Sequence, residues 1–146
     1  MKKENFFSSG TSITNLNLAS LILRFVGGGF MLYQHGGGKF LKFFSDEKIE
    51  FADPFGMGST ATLALVVFAE AICSILVILG LMTRYALIPL IFTMFYAAFF
   101  VHAKDSFGDK ELALIYLAVY FALLLIGPGR YSLDRLIKKR RSTISN

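Results

Sequence analysis

Residues 59–103 read STATLALVVFAEAICSILVILGLMTRYALIPLIFTMFYAAFFVHA, and Glu70 and Arg84 are the only strongly charged side chains in the stretch. Two apolar runs are joined by GLMTRY alone. At about 1.5 Å of rise per residue, each run crosses the roughly 30 Å hydrocarbon core of a bilayer. So short a link makes the two helices antiparallel neighbours, with Gly80 placed to terminate the first. The stretch therefore predicts a helical hairpin embedded in a membrane.

Segments of the same kind recur on both sides. Apolar spans are predicted at Leu16 to Gln34, Ser59 to Leu81, Tyr85 to Ala103 and Lys110 to Gly127. A chain of 146 residues suits one domain, but 55% hydrophobic residues and a mean hydropathy of +0.59 are too apolar for an ordinary soluble one. The expected fold class is all-α, an integral membrane four-helix bundle over residues 16–135. An N-terminal segment covers 1–15 and a basic tail 136–146. Lys2 and Lys3 precede the first span, yet the long polar stretch between them, Arg24 inside the run and the lack of a small-x-small cleavage pattern mark it as retained rather than a secretory signal. Cys73 is the only cysteine, so neither an intrachain disulfide nor a Cys-x-x-Cys pair is available.

Spans three and four are linked by KDSFGD, whereas the first two are separated by GGGKFLKFFSDEKIEFADPFGMG. The phenylalanines scattered among charges in that connection predict a cap lying in the outer interface. Pro89 is expected to bend the third span. Gly27, Gly28 and Gly29 are small enough to let neighbouring helices approach closely.

Net charge is +5. Four crossings bring both ends of the chain to one side, together with the Thr83-Arg84 turn. That side collects Lys2, Lys3, Arg84, Arg130, Arg135 and the KKRR run at 138–141, against Lys39, Lys42, Lys48, Lys104 and Lys110 opposite. By the positive-inside rule both termini are expected in the cytoplasm, in a multi-pass protein of the cytoplasmic (inner) membrane. The KKRR run then sets topology and meets anionic head groups, which makes membrane lipids the expected partners. A basic tail without interleaved aromatic residues is a poor nucleic-acid binder, and no nucleic-acid partner is expected.

Within the spans, Arg24 lies eleven residues before His35 and Glu70 eleven residues after Ser59. Counted from the outer ends, both fall about 16 Å deep, so they are expected to pair and fix helix register, or to leave Glu70 handling protons or a substrate group. A second set gathers at the outer face: His35 and Lys39, His102 and Lys104, and Glu111. Each has a capping explanation, with cations at helix C-termini, a carboxylate at an N-terminus and Gly36 as a helix stop. Capping does not require two histidines, and imidazoles beside a carboxylate could pass protons in a redox step. His35, His102 and Glu111 are thus the candidate catalytic groups, with Lys39, Glu70 and Arg24 as substrate-binding ones. No metal site is expected, because no HxxxH or ExxH spacing places two ligands on one helical face. Nor is HGGGKF (35–40) a phosphate loop, since Phe40 follows the lysine where a hydroxyl is needed. Phe92, Phe95, Tyr96 and Phe99, with Tyr116 and Tyr120, recur at helical spacing; such stripes suit core or lipid contact as well as quinone stacking.

Four motifs together, QHGGGKF, FAEAICSILVILGLMTR, VHAKDSF and GPGRYSLD, carry a resemblance to the DoxX family of small bacterial membrane proteins, running from about Leu18 to Arg135. The resemblance implies a four-helix protein related to a subunit of thiosulfate:quinone oxidoreductase and associated with redox and sulfur-stress systems. By position, His35, Lys39, Glu70, Arg84, His102 and Arg130 fall at the family's recurrent polar groups. Cofactor motifs are not evident in the chain; a quinone is the possible ligand. The leading expectation is a redox-associated membrane subunit that binds quinone or a small sulfur compound. The alternative is a non-catalytic scaffold that docks a soluble redox or stress-response enzyme, and homo-oligomerisation is compatible with either.

Overall fold

The computed structural model describes residues 12–46 and 48–144. Lys2, Lys3 and most of the expected N-terminal segment lie outside the described residues. Among the described residues all regular structure is helical: α1 (Ile13–Phe43), α2 (Ser59–Leu79), α3 (Thr83–Val101), α4 (Phe107–Ile126) and α5 (Leu133–Ile144). Helices α1, α2 and α3 are long and apolar enough to cross a membrane. Helix α4 has 20 residues but opens on Asp109, Lys110 and Glu111, which shortens its apolar part to Leu112–Ile126.

Helix α1 packs between α2 and α4, and α3 packs against both, so the four close into a ring. Met31, Val77, Leu87, Leu90, Tyr120 and Leu123 fill the centre. Cys73 is a small buried packing residue there. Large apolar side chains also cover the outside: Phe25, Phe30, Ile88, Phe92 and Leu125 are all exposed. A belt of that extent is unfavourable in water and natural in lipid.

Local chemistry sets the ends. Ser12 caps α1, its hydroxyl accepting from the Asn15 amide. Gly80 adopts the left-handed conformation (φ 67°) that stops α2, as the sequence predicts. The next turn holds Met82 at φ 47°, a strained value for a residue with a side chain. Asp134 steadies it by accepting from the Met82 and Thr83 amides and the Thr83 hydroxyl.

The first span differs from its prediction. Instead of stopping at HGGGK, α1 passes through it and runs on to Phe43, with Gly36 and Gly37 both right-handed helical. Two π-helical turns explain what the glycines do: Leu32–Gly36 in α1 packs against Phe68–Ile72 in α2. A Cβ on Gly36 would overlap the Glu70 carbonyl and come within 2.9 Å of the Ala71 Cα. Further down, a Cβ on Gly28 would lie 2.9 Å from the Ser74 carbonyl oxygen. The glycines allow two backbones to touch, which is the small-residue logic of membrane helices. They do not terminate the helix.

Candidate functional site

The longer α1 changes which polar groups meet. Arg24 was expected opposite Glu70 on the assumption that span one ends near His35. With eight further helical residues, Arg24 lies far from the outer end. Its guanidinium donates to the carbonyls of Ile78 (3.0 Å) and Tyr131 (2.5 Å), which tie α1 to the end of α2 and to the segment before α5. Ile78 is eight residues along α2 from Glu70, about 12 Å of helix rise. The expected Arg24–Glu70 pair is therefore not formed, and Arg24, which is 1% exposed, serves packing at the opposite end of the bundle.

Glu70 has another partner. Its carboxylate accepts from Lys39 at 2.5 Å, with the acid buried and the lysine partly accessible. The π turn at Phe68–Ile72 carries Glu70, and Lys39 follows the π turn that carries His35, so the Gly36 contact brings the two side chains together. A buried carboxylate at this depth is tolerated because an ammonium answers it.

Lys39 and Glu70 stand at the wall of a cavity of about 660 Å³ between α2, α3 and the loop over 48–58 that precedes α2. Elsewhere the wall is aromatic and aliphatic: Phe51 and Phe55 from the loop, Phe68 from α2, and Pro89, Phe92 and Tyr96 from α3. Phe55 tilts against Tyr96 at a centroid distance of 5.2 Å, and Tyr96 is stacked with both Phe92 and Phe100. Thr62 and Thr93 add two hydroxyls, which donate to Asp53 and to the Pro89 carbonyl respectively.

The loop is fastened to the rest at three points. Lys42 donates to the Glu50 carbonyl. Ile49 and Phe51 pack with Leu63, Val67 and Ala71. Asp53 clasps the start of α2, accepting from the Gly58 amide (2.7 Å), the Met57 amide (3.0 Å) and the Thr62 hydroxyl (2.9 Å). Those bonds, the Gly58 amide foremost, hold the Asp53 carboxyl below the usual carboxylate range.

The outer cluster does not assemble as one site. His35 presents its ring edge-on to Tyr116, with centroids 6.0 Å apart. Tyr116 stacks on Tyr120, whose hydroxyl donates to the Gly27 carbonyl. Beyond the end of α3, His102 bonds through Nδ1 to Asp105 at 2.8 Å. Glu111 is exposed in α4, one residue beyond its first turn. Of the six residues singled out in the sequence, only Lys39 and Glu70 line the cavity. Among the described residues no group of three His, Cys, Asp or Glu could hold a metal ion.

The sequence model of the family described as DoxX matches residues 19–103, more than half of the chain. This chain belongs to the DoxX family. Relatives of the DoxX chain include an uncharacterized protein of Haemophilus influenzae, 32% identical over 118 residues, a match covering 76% of this chain and 85% of that protein. An uncharacterized membrane protein of Mycobacterium tuberculosis is 34% identical over 85 residues, 49% of this chain and 52% of its own length. No solved structure matches. Together with the apolar helices, the family makes this a membrane protein. The matched region of the DoxX chain contains Lys39, Glu70 and every cavity-lining residue, from Lys39 to Val101.

Sequence reasoning missed Thr62, Pro89 and Thr93 as parts of one site. Their only signal was a hydroxyl or an imino acid in apolar helices, which fits many roles. Phe92 and Tyr96 were visible as half of an aromatic stripe, but which half faces a cavity depends on the loop folding over it.

Proposed function

We propose that this DoxX protein is a multi-pass subunit of the cytoplasmic membrane that binds a quinone head group between α2 and α3 and serves a redox system whose electrons come from a soluble partner enzyme. The observation that carries this reading is the Lys39–Glu70 pair at the wall of an otherwise apolar, aromatic cavity. A flat, neutral ring suits such walls, and its oxygen needs one donor. The Lys39 ammonium has three hydrogens, of which one goes to Glu70, so two remain for a ligand carbonyl. A free sulfur anion is less favoured, because Glu70 already neutralises the lysine and an anion would have to displace it. Reduction of the quinone to quinol takes two electrons from the partner and two protons, and a lysine against one carbonyl can polarise it and pass a proton while Glu70 balances the charge.

The test is a titration of purified protein with a short-tailed quinone. Lys39→Met and Phe92→Ala should each weaken binding by about tenfold or more, equivalent to roughly 1.4 kcal/mol. His102→Asn and Glu111→Gln should leave it unchanged, and thiosulfate should not compete. Because Lys39→Met leaves Glu70 unpaired, the double variant Lys39→Met with Glu70→Met serves as the folded control. Equal affinity in all variants would overturn the reading. Copurification with a soluble enzyme in fixed ratio, without quinone, would favour the scaffold instead.

A further inference from the structure

At the other end of the bundle from the cavity, α5 is built for a different partner. Its first turn is fixed in place. The Asp134 amide donates to the Gly80 carbonyl at 2.9 Å while its carboxylate holds the Met82 and Thr83 amides. Ser132 is buried, and Arg24 holds the Tyr131 carbonyl. These contacts anchor the start of α5 to the tight turn between α2 and α3. That turn joins two helices long and apolar enough to cross a membrane, so it lies where hydrocarbon gives way to water.

From this anchor α5 extends with two unlike faces. Leu133, Leu136 and Ile137 stand at i, i+3 and i+4 and form one stripe. Leu136 is 57% exposed and Ile137 42%, although both are apolar. Arg135 and Lys138 are exposed on the far side, at about 100° per residue. Arg140, a turn further on, falls within the apolar arc between Leu133 and Leu136, where its long stem can lie along lipid with the guanidinium reaching outward. Exposed Tyr131, just before the helix, is a residue type that favours the head-group layer.

We propose that α5 lies on the membrane surface as an amphipathic helix, with Leu136 and Ile137 inserted at the acyl boundary and Arg135, Lys138 and Arg140 bound to anionic phospholipid head groups. Three observations select lipid over a soluble protein. The helix is tied to the end of membrane-crossing segments. Its apolar stripe is exposed, like the apolar belt of the bundle. Its charge is complementary to anionic head groups, and basic amphipathic helices of this kind bind at the interface.

Single cysteines at 135, 136, 137 and 138 in a Cys73→Ser background, spin-labelled, test this in the full chain. The protein is reconstituted into vesicles of phosphatidylcholine alone and of phosphatidylcholine mixed with phosphatidylglycerol. Labels at 136 and 137 should be reached severalfold more by dissolved oxygen, and severalfold less by a water-soluble relaxing agent, than labels at 135 and 138. The contrast should grow with phosphatidylglycerol and lose that dependence in Arg135→Gln, Lys138→Gln, Arg140→Gln protein, read at 136 and 137. Equal water access at all four positions in both lipids would overturn the proposal. Protection of 136 and 137 that requires an added soluble protein would also overturn it and assign the face to that protein.

Discussion

Gly36 and Gly38 are two residues apart in one helix and meet opposite surroundings. A Cβ at 36 would run into α2 backbone, which cannot rotate away, whereas a Cβ at 38 meets nothing within 4 Å. Gly36→Ala should therefore destabilise the protein by about 1–3 kcal/mol through overpacking. Gly38→Ala should be neutral or stabilising by up to about 1 kcal/mol, as alanine usually is in a helix. Thermal unfolding in one detergent checks both, and equal effects would remove the backbone contact from the account. The Gly36 contact also sets the distance between Lys39 and Glu70. Removing Lys39 alone leaves a carboxylate that is 3% exposed without its partner, and breaking such a pair costs about 3 kcal/mol in soluble proteins. Glu70→Gln with Lys39 kept should cost less, because the partly exposed lysine can turn to water. If the double variant Lys39→Met with Glu70→Met is as unstable as the sum of the singles, the pair is not coupled. That some partner for Glu70 exists was legible in the sequence, since a lone charge in an apolar run needs one. Which partner was not, because the answer depends on where α1 ends.

Helix ends and hidden turns separate what the sequence reveals from what it conceals. The GLMTRY turn was readable because a glycine and a short link leave one solution, and Gly80 is left-handed there. In HGGGK the same residue type misleads: three glycines look like a stop, yet the helix runs through them and Gly36, by lacking a Cβ, serves a contact with α2. No local pattern reveals the π turns at Leu32–Gly36 and Phe68–Ile72, since they arise where the two helices touch. The outer loop shows the same limit, because its fastening by Asp53 joins residues from both sides of a turn. The Asp53 carboxyl is held below its ordinary value, about 3.9 in an unfolded chain, by bonds that only the charged form accepts fully. The stabilisation is complete above that value and is lost as pH falls through the lowered folded-state value. Below about pH 4, hydrogen exchange of the Met57 and Gly58 amides should accelerate relative to their intrinsic rates. Asp53→Asn should show the faster exchange at all pH values. Exchange that tracks only the intrinsic rate would leave the clasp without a role in holding the loop.

For the whole molecule, the all-helical fold and its long apolar helices were legible in the hydropathy, while the cavity was not. Four apolar spans predict a bundle, but a space bounded by α2, α3 and a folded-back loop depends on the tilt of two helices and the path of a segment rich in phenylalanine. The misplacement of Arg24 was a whole-molecule error as well, since depth was counted from a helix end that lies eight residues further on. Its observed partners, Ile78 and Tyr131, put Arg24 near the end of the bundle where α5 begins. That end carries the exposed cations Arg84, Arg130, Arg135, Lys138 and Arg140. The loop end carries Lys42, Lys48 and Lys104, exposed but interspersed with Asp46, Glu50, Asp53, Asp105 and Asp109. Positive charge retained near short connections sets orientation, and acids contribute little to it. The α5 end should therefore face the cytoplasm and the cavity loop the outside. Reporter fusions after residue 146 should read cytoplasm, and fusions near Asp46 and Ser106 the opposite compartment. That orientation also requires α4, the helix with the shortest apolar run, to complete the fourth crossing. A fusion after residue 146 that reads outside, with Ser106 also outside, would show that α4 does not cross and would leave three spans.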